Sequence, residues 1–202
     1  MIDLFVFDLG NVILPFNHLP IADKLYARST RNGFDAAEIF RYVFDLEAGA
    51  INALEEGVIS ATEFYLDLKG RYGLATDFEE FAYIWNNIFY DSPEVNELIK
   101  NLKARNLPVF LLSNTNELHF AYIIEKFPVV HLLDEWILSF EVGAKKPKRR
   151  IFEAVFERTD VPPERVLYID DVVEYVDTAR ALGMQGLVFR EPSDIRRLID
   201  EE

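Results

Sequence analysis

The sequence predicts an α/β fold: a parallel sheet flanked by helices, with a helical segment inserted after the first strand. Three observations predict it. Residues 4–8, Leu-Phe-Val-Phe-Asp, are a short apolar run that stops at a carboxylate, the pattern of a buried strand. From about residue 93 onward, short apolar runs alternate with stretches of helical spacing, at lengths usual for α/β units. Between about residues 15 and 91 the spacing is helical, with no clear strand.

The elements follow in order. After the first strand, Ile39, Phe40, Val43 and Phe44 form one helical stripe, and Phe64, Leu66 and Leu68 a less regular one. Aromatic residues crowd the end of the insertion: Phe78, Phe81, Tyr83, Trp85, Phe89 and Tyr90. Most are expected in the core of a helical bundle, with a few left to line a cavity. Ser92-Pro93-Glu94 reads as a helix start, with a cap, a proline at the first helical position and an acid in the first turn. Val95, Leu98, Ile99 and Leu102 continue it. Strands are expected at 109–112, 136–139, 166–169 and 186–189, and a helix at about 117–126. Ile151, Phe152, Val155 and Phe156 mark a helix face; Val172, Val176 and Ala179 line the next helix, closed by Gly183. Ser193 starts a terminal helix.

Composition narrows the function. The 202 residues suffice for one domain with an insertion, and half of them are hydrophobic. There is no cysteine, which removes disulfides and thiolate metal sites. The formal net charge of −14 argues against nucleic-acid binding. No apolar run approaches a membrane span, and no basic region precedes the apolar N-terminus, so a soluble cytoplasmic protein without a signal peptide is expected. Nothing in the sequence sets an oligomeric state. A small anionic substrate remains compatible if a metal ion or a focused lysine offsets the general repulsion. The basic run Lys145-Lys146-Pro147-Lys148-Arg149-Arg150 is the one such cluster, and most of it is expected at the surface.

Three predicted strands end in polar residues: Asp8, Ser113-Asn114 and Asp170-Asp171, with Lys146-Pro147 in a loop before a helix. Right-handed crossovers bring parallel strand ends to one edge, where ligands bind in open sheets. Each group also has an ordinary reading, as a turn starter, a helix cap, an acidic helix N-terminus or a surface dipeptide. Together they suit phosphate chemistry. A carboxylate such as Asp8 is a competent nucleophile toward phosphorus. The pair Asp170-Asp171 favours a hard cation such as Mg²⁺. Ser113 and Asn114 offer hydrogen bonds to phosphoryl oxygens, and Lys146 a point charge.

The segments 6–12 (Val-Phe-Asp-Leu-Gly-Asn-Val), 111–115 (Leu-Leu-Ser-Asn-Thr), 143–147 (Gly-Ala-Lys-Lys-Pro) and 168–171 (Tyr-Ile-Asp-Asp) together resemble the four ordered motifs of the haloacid dehalogenase superfamily of phosphohydrolases. Residues 56–60, Glu-Gly-Val-Ile-Ser, look like part of that superfamily's helical cap in its C1 position. The resemblance implies a Rossmann-like core at 1–14 and 92–202 and a C1 cap at 15–91. It implies Asp8 as nucleophile and metal ligand, and the Gly10 carbonyl as a second ligand. Asp171 would bind the metal directly, with Asp170 close or bridged by water. Phosphate would be held by Leu9, Gly10, Ser113, Asn114 and Lys146, with Ser113 and Lys146 also counted as catalytic. The implied activity is Mg²⁺-dependent removal of phosphate from a small phosphorylated metabolite through an aspartyl-phosphate on Asp8.

The superfamily's phosphatases usually carry a second Asp two residues after the nucleophile, as general acid and base; here Gly10 stands there. Loss of that group is worth about 10²- to 10⁴-fold in rate. One consequence is a binding or regulatory module on the same fold. The other is a phosphatase with a less demanding leaving group, and the string Asp-Leu-Gly-Asn-Val is similar to a bacterial sugar-phosphatase branch that includes α-D-glucose-1-phosphate phosphatase. His18, Asp45 and Glu47 are the candidate substitute acids in the insertion. A metal-free 2-haloacid dehalogenase also lacks the second Asp, but the pair Asp170-Asp171 argues against it.

Overall fold

The computed structural model describes residues 2–200. Along the chain it runs β1 (Leu4–Phe7), α1 (Leu19–Tyr26), α2 (Ala36–Phe44), α3 (Ile51–Glu55), α4 (Ala61–Tyr72), α5 (Phe78–Asn86) and α6 (Pro93–Ala104). It continues with β2 (Val109–Ser113), α7 (Glu117–Lys126), β3 (Glu135–Leu138), α8 (Ser139–Val142) and α9 (Arg149–Phe156). β4 (Val166–Asp170), α10 (Val173–Ala181), β5 (Gln185–Val188) and α11 (Pro192–Asp200) complete it.

All strands are parallel, in the order β3-β2-β1-β4-β5. Every residue of β1, β2 and β4 is buried, which is why these strands read as continuous apolar runs rather than alternating ones. Side chains still alternate between faces. Phe5, Phe7, Val109, Leu111, Leu167 and Ile169 pack with α6, α7 and α11 on one face. Leu4, Val6, Phe110, Leu112, Val166 and Tyr168 pack with α9 and α10 on the other. This is the flanked α/β sheet that the strand and helix spacing predicts.

The register positions the chemistry. Phe7 pairs with Leu111 of β2 and with Ile169 of β4. Asp8 therefore emerges level with Asp170 on the neighbouring strand and one position short of Ser113. The Asp8 N–H donates to the Ile169 carbonyl at 2.9 Å, which ties the carboxylate to the end of the sheet.

Helices α1–α5 bury their own apolar cluster, from Ile21 to Ile88, around Phe64, Phe81 and Trp85. The two chain crossings between this cluster and the sheet run side by side. Asn17 N–H donates to Ile88 O at 3.0 Å and Tyr90 N–H to Pro15 O at 2.8 Å. The aromatic run is less buried than its spacing suggests. Phe81 and Trp85 are enclosed because the helical period turns them inward with Ile84, whereas Phe78, Tyr83 and Tyr90 are exposed. Leu66 is likewise exposed on α4, between buried Phe64 and Leu68.

Other boundaries shift for local reasons. Ser92 occupies the cap position of α6, but its side chain makes no cap bond; Pro93 at the first position and Glu94 in the first turn mark the start. The third strand ends at Leu138, because the Ser139 hydroxyl donates to Thr115 O and accepts from Thr115 N–H, both at 3.0 Å, and opens α8. Val172 precedes α10 and is exposed rather than lining it. The last strand begins one residue early, at Gln185, and the terminal helix begins at Pro192. Among the described residues no helix is long and apolar enough to cross a membrane.

Candidate active site

At the carboxyl edge of the sheet, Lys146 closes a buried knot of charge. Its Nζ donates to Asp8 Oδ1 at 2.6 Å and to Asp170 Oδ2 at 2.7 Å. Lys146 is 1% exposed and Asp170 fully buried, so neither charge has water to share. Both oxygens of Asp170 are engaged: Oδ2 also accepts from the Tyr168 hydroxyl, and Oδ1 accepts from Val172 N–H at 2.8 Å. Asp171, next in the chain, is half-buried and receives only a long 3.4 Å contact from Asn11 Nδ2. Carboxylate oxygens of Asp8, Asp170 and Asp171 lie within 4.8 Å of one another.

The electrostatics follow from this crowding. Burial pushes the Asp8 carboxyl up to about 7; Lys146 opposes the rise and Asp170 adds to it. Burial, with Asp170 beside it, also raises Asp171. Burial works against the Lys146 ammonium, but the flanking Asp8 and Asp170 outweigh it and hold its pKa above the ordinary value. Three carboxylates face one ammonium, leaving excess negative charge on oxygen donors. That donor set fits a hard divalent cation such as Mg²⁺, and Asp8 and Asp171 are the carboxylates with oxygens to spare.

The structure brings together Asp8, Leu9, Gly10, Ser113, Asn114, Lys146 and Asp171 on one cavity of about 320 Å³. Asp170 is fully buried and does not line it. The Asn114 side chain is turned to Lys146: its Oδ1 accepts from Lys146 N–H at 2.7 Å, and its Nδ2 donates to Lys146 O at 3.1 Å. It therefore positions the lysine. The remaining basic run is mostly surface, as expected for Lys148, Arg149 and Arg150, whose side chains are 52–70% exposed.

At Gly10 a Cβ would come within 2.8 Å of Phe16 Cε1. An aromatic ring thus fills the space into which a side chain at this position would grow. Phe16 in turn packs at a tilt against the rings of His18 and Phe89. Of the three substitute acids considered, His18 and Asp45 line the cavity and Glu47 does not. The segment 56–60 forms the turn between α3 and α4, where Gly57 presses on the backbone of Phe140: a Cβ there would meet its carbonyl at 2.2 Å. The insertion and the sheet layer are thus in direct contact.

Several site residues have weak sequence signals. Tyr168 lies two positions before Asp170 and so on the same face of β4, a period-2 relation readable from sequence. Tyr175, whose ring lies 5.1 Å from Lys146 Nζ, and Phe16 come from segments with no motif of their own. Asn11 follows Gly10 in a left-handed conformation, φ 57°, that carries its side chain back toward Asp171.

A parallel sheet with a lysine–carboxylate knot at the ends of its strands makes this an α/β protein with a charged site at the carboxyl edge. The chain belongs to the haloacid dehalogenase-like hydrolases, whose family model matches residues 2–183. It is 28% identical to the D-ribitol-5-phosphate phosphatase of Bacteroides thetaiotaomicron, over 98% of this chain and 96% of that protein. It is 24% identical to the sesquiterpene phosphatase astK of Aspergillus oryzae, over 90% and 87% of the two chains. Its fold superposes on the magnesium complex of the HAD family enzyme bt-2542 of Bacteroides thetaiotaomicron with a TM-score of 0.81, at 25% identity and 98% coverage of both chains.

Proposed function

We propose that this hydrolase is a Mg²⁺-dependent phosphomonoesterase acting on a small phosphorylated metabolite, with Asp8 as nucleophile. The observation that carries the reading is the enclosed Lys146 ammonium between Asp8 and Asp170, at the floor of a cavity that also exposes Asp171. A carboxylate oxygen of Asp8 attacks phosphorus, the bond from phosphorus to the alcohol oxygen breaks, and an aspartyl-phosphate forms. Water then cleaves it, returning Asp8 and releasing inorganic phosphate. Lys146 neutralises the nucleophile's environment and balances the phosphoryl charge, and the Ser113 hydroxyl donates to a phosphoryl oxygen. Magnesium, when bound, neutralises the phosphate. Asp8, Asp171 and the Gly10 carbonyl would hold it, with Asp170 orienting Lys146 nearby.

We read residues 15–91 as the cap and the remainder as the core. This agrees with the separate apolar cluster of α1–α5 and with the paired crossings near residues 15–17 and 88–90. Gly10 offers no acid to the departing oxygen, so turnover is expected to rise with leaving-group ability, from alkyl and polyol phosphates to anomeric and aryl ones. The cavity is at the small end for ligand sites, which suits a metabolite, and the ribitol-phosphate specificity of the relative is consistent with that.

Phosphate release from 4-nitrophenyl phosphate tests the reading, because that leaving group needs no acid. Wild type is expected to release phosphate only with Mg²⁺, and Asp8→Asn to lose turnover while keeping its fold by circular dichroism. Wild-type turnover in Asp8→Asn removes the nucleophile. A wild type silent on aryl and sugar phosphates, yet stabilised by Mg²⁺, makes the protein a binding module instead.

A further inference from the structure

Building on the phosphatase reading, we infer that Glu55, Lys145 and Asn52 select the alcohol half of the substrate, and that they select a neutral, hydroxyl-rich one: a polyol or sugar phosphate. With the phosphoryl group at Asp8 and Lys146, the alcohol extends into the rest of the cavity, whose walls are unlike. Phe16 and Phe89, joined through His18 to Phe44 by ring contacts, give the lining an aromatic stretch. On the polar side, Lys145 Nζ donates to Asn52 Oδ1 at 2.5 Å and to Glu55 Oε2 at 2.8 Å, joining α3 to the residue before Lys146. The Lys145 and Glu55 side chains are 21% and 16% exposed, largely removed from water yet open to the cavity.

This cluster keeps hydrogen-bonding capacity in reserve. Among the described residues, no other protein group bonds Glu55 Oε1, the third N–H of Lys145 or the Tyr175 hydroxyl, and Asn52 Nδ2 makes only a 3.4 Å bond to Leu46 O. An alkyl chain entering here would strip water from these groups and return nothing. Adjacent hydroxyls, each both donor and acceptor, satisfy them, while the C–H face of the same polyol rests on the aromatic wall. The Lys145–Glu55 pair is self-neutralising. A substrate amine would compete with Lys145 for Glu55, and a substrate carboxylate would compete with Glu55 for Lys145. Neutral hydroxyls are the groups the wall accepts without penalty.

The test compares a pentitol 5-phosphate with n-pentyl phosphate, equal in carbon number and in phosphate, with 4-nitrophenyl phosphate as a check on the chemistry. Wild type is expected to favour the pentitol ester in kcat/KM by about 100-fold or more, since sites built to hydrogen-bond a hydroxyl reject analogues lacking it. Glu55→Gln, nearly isosteric, and Asn52→Ala are each expected to reduce that ratio by about tenfold or more, mainly through KM for the pentitol ester. A wild-type ratio near one, or both variants losing activity equally on the two esters, overturns the assignment. Absence of 4-nitrophenyl phosphate hydrolysis by wild type removes the phosphatase reading itself, and this inference with it.

Discussion

Lys146 Nζ stands 2.6 Å from Asp8 Oδ1 inside a shell of protein, reached by a backbone that Asn114 grips on both sides. The ammonium also holds Asp170 at 2.7 Å, so a single cation balances two enclosed carboxylates. Breaking such a group by removing one partner leaves uncompensated charge, at about 3–5 kcal/mol. Lys146→Met is therefore expected to lower the urea-unfolding free energy by about that amount and to abolish phosphate release. A variant as stable as wild type would show the knot to be loosely held.

Gly10 and Phe16 define a second relationship. The ring lies 2.8 Å from where a Cβ would stand, so an acid restored at position 10 must displace the ring. Gly10→Asp is expected to destabilise by about 1–3 kcal/mol through overpacking. Gly10→Asp combined with Phe16→Ala is expected to regain part of that stability and to hydrolyse alkyl phosphates faster than Phe16→Ala. Thermal unfolding and phosphate release report the two effects separately. If Gly10→Asp alone is neutral and faster than wild type, the ring is not the obstacle.

Much of this arrangement is legible in the sequence. β1, β2 and β4 appear as apolar runs because both faces of the sheet are covered, and the polar residues that end them are conspicuous for that reason. The helix 117–126 is set by the Asn116 cap, whose Oδ1 accepts from His119 N–H, and its bounds match the expected ones. What the sequence hides depends on contacts between distant segments. Asn114 faces Lys146 rather than open solvent because α9's preceding loop folds over β2, a pairing 32 residues apart. Phe16 over Gly10, and Asn52 with Glu55 on Lys145, likewise arise from how the α1–α5 layer meets the sheet. No local periodicity encodes that meeting.

His119 carries the pH dependence of that junction. Its Nδ1 accepts from Asn116 Nδ2 at 3.1 Å and its Nε2–H donates to Trp85 O at 3.2 Å, a tautomer assigned from these partners. Protonation would set two donors against each other at Nδ1. Burial lowers the His119 pKa to about 4, with the hydrogen bond to Trp85 opposing and His18 adding slightly. The folded value lies below the unfolded one, near 6.5, so the unfolded state binds the proton first as pH falls. Stability from this group is complete above about pH 7 and declines between about 6.5 and 4, by about 2 kcal/mol at pH 5. The difference in urea-unfolding free energy between pH 7.5 and 5 is expected to shrink by that amount in His119→Gln. An unchanged difference would mean that His119 is solvated.

Metal binding separates the two neighbouring aspartates. Asp171 has free oxygens facing the cavity, whereas those of Asp170 are occupied by Lys146, Tyr168 and the Val172 amide. A ligand that binds only the folded state stabilises it by about 2.7 kcal/mol at a hundredfold excess over Kd, a rise of about 5–10 °C in Tm for a chain of this size. Asp171→Asn is expected to leave the metal-free Tm near that of wild type and to shrink the rise with Mg²⁺, because it removes a ligand and relieves carboxylate crowding. Asp170→Asn is expected to lower the metal-free Tm, because it takes the counter-charge from Lys146 in an enclosed site. Differential scanning calorimetry with EDTA and with Mg²⁺ distinguishes the two. If Asp170→Asn alone abolishes the metal response while leaving the metal-free Tm unchanged, the roles of the pair are reversed.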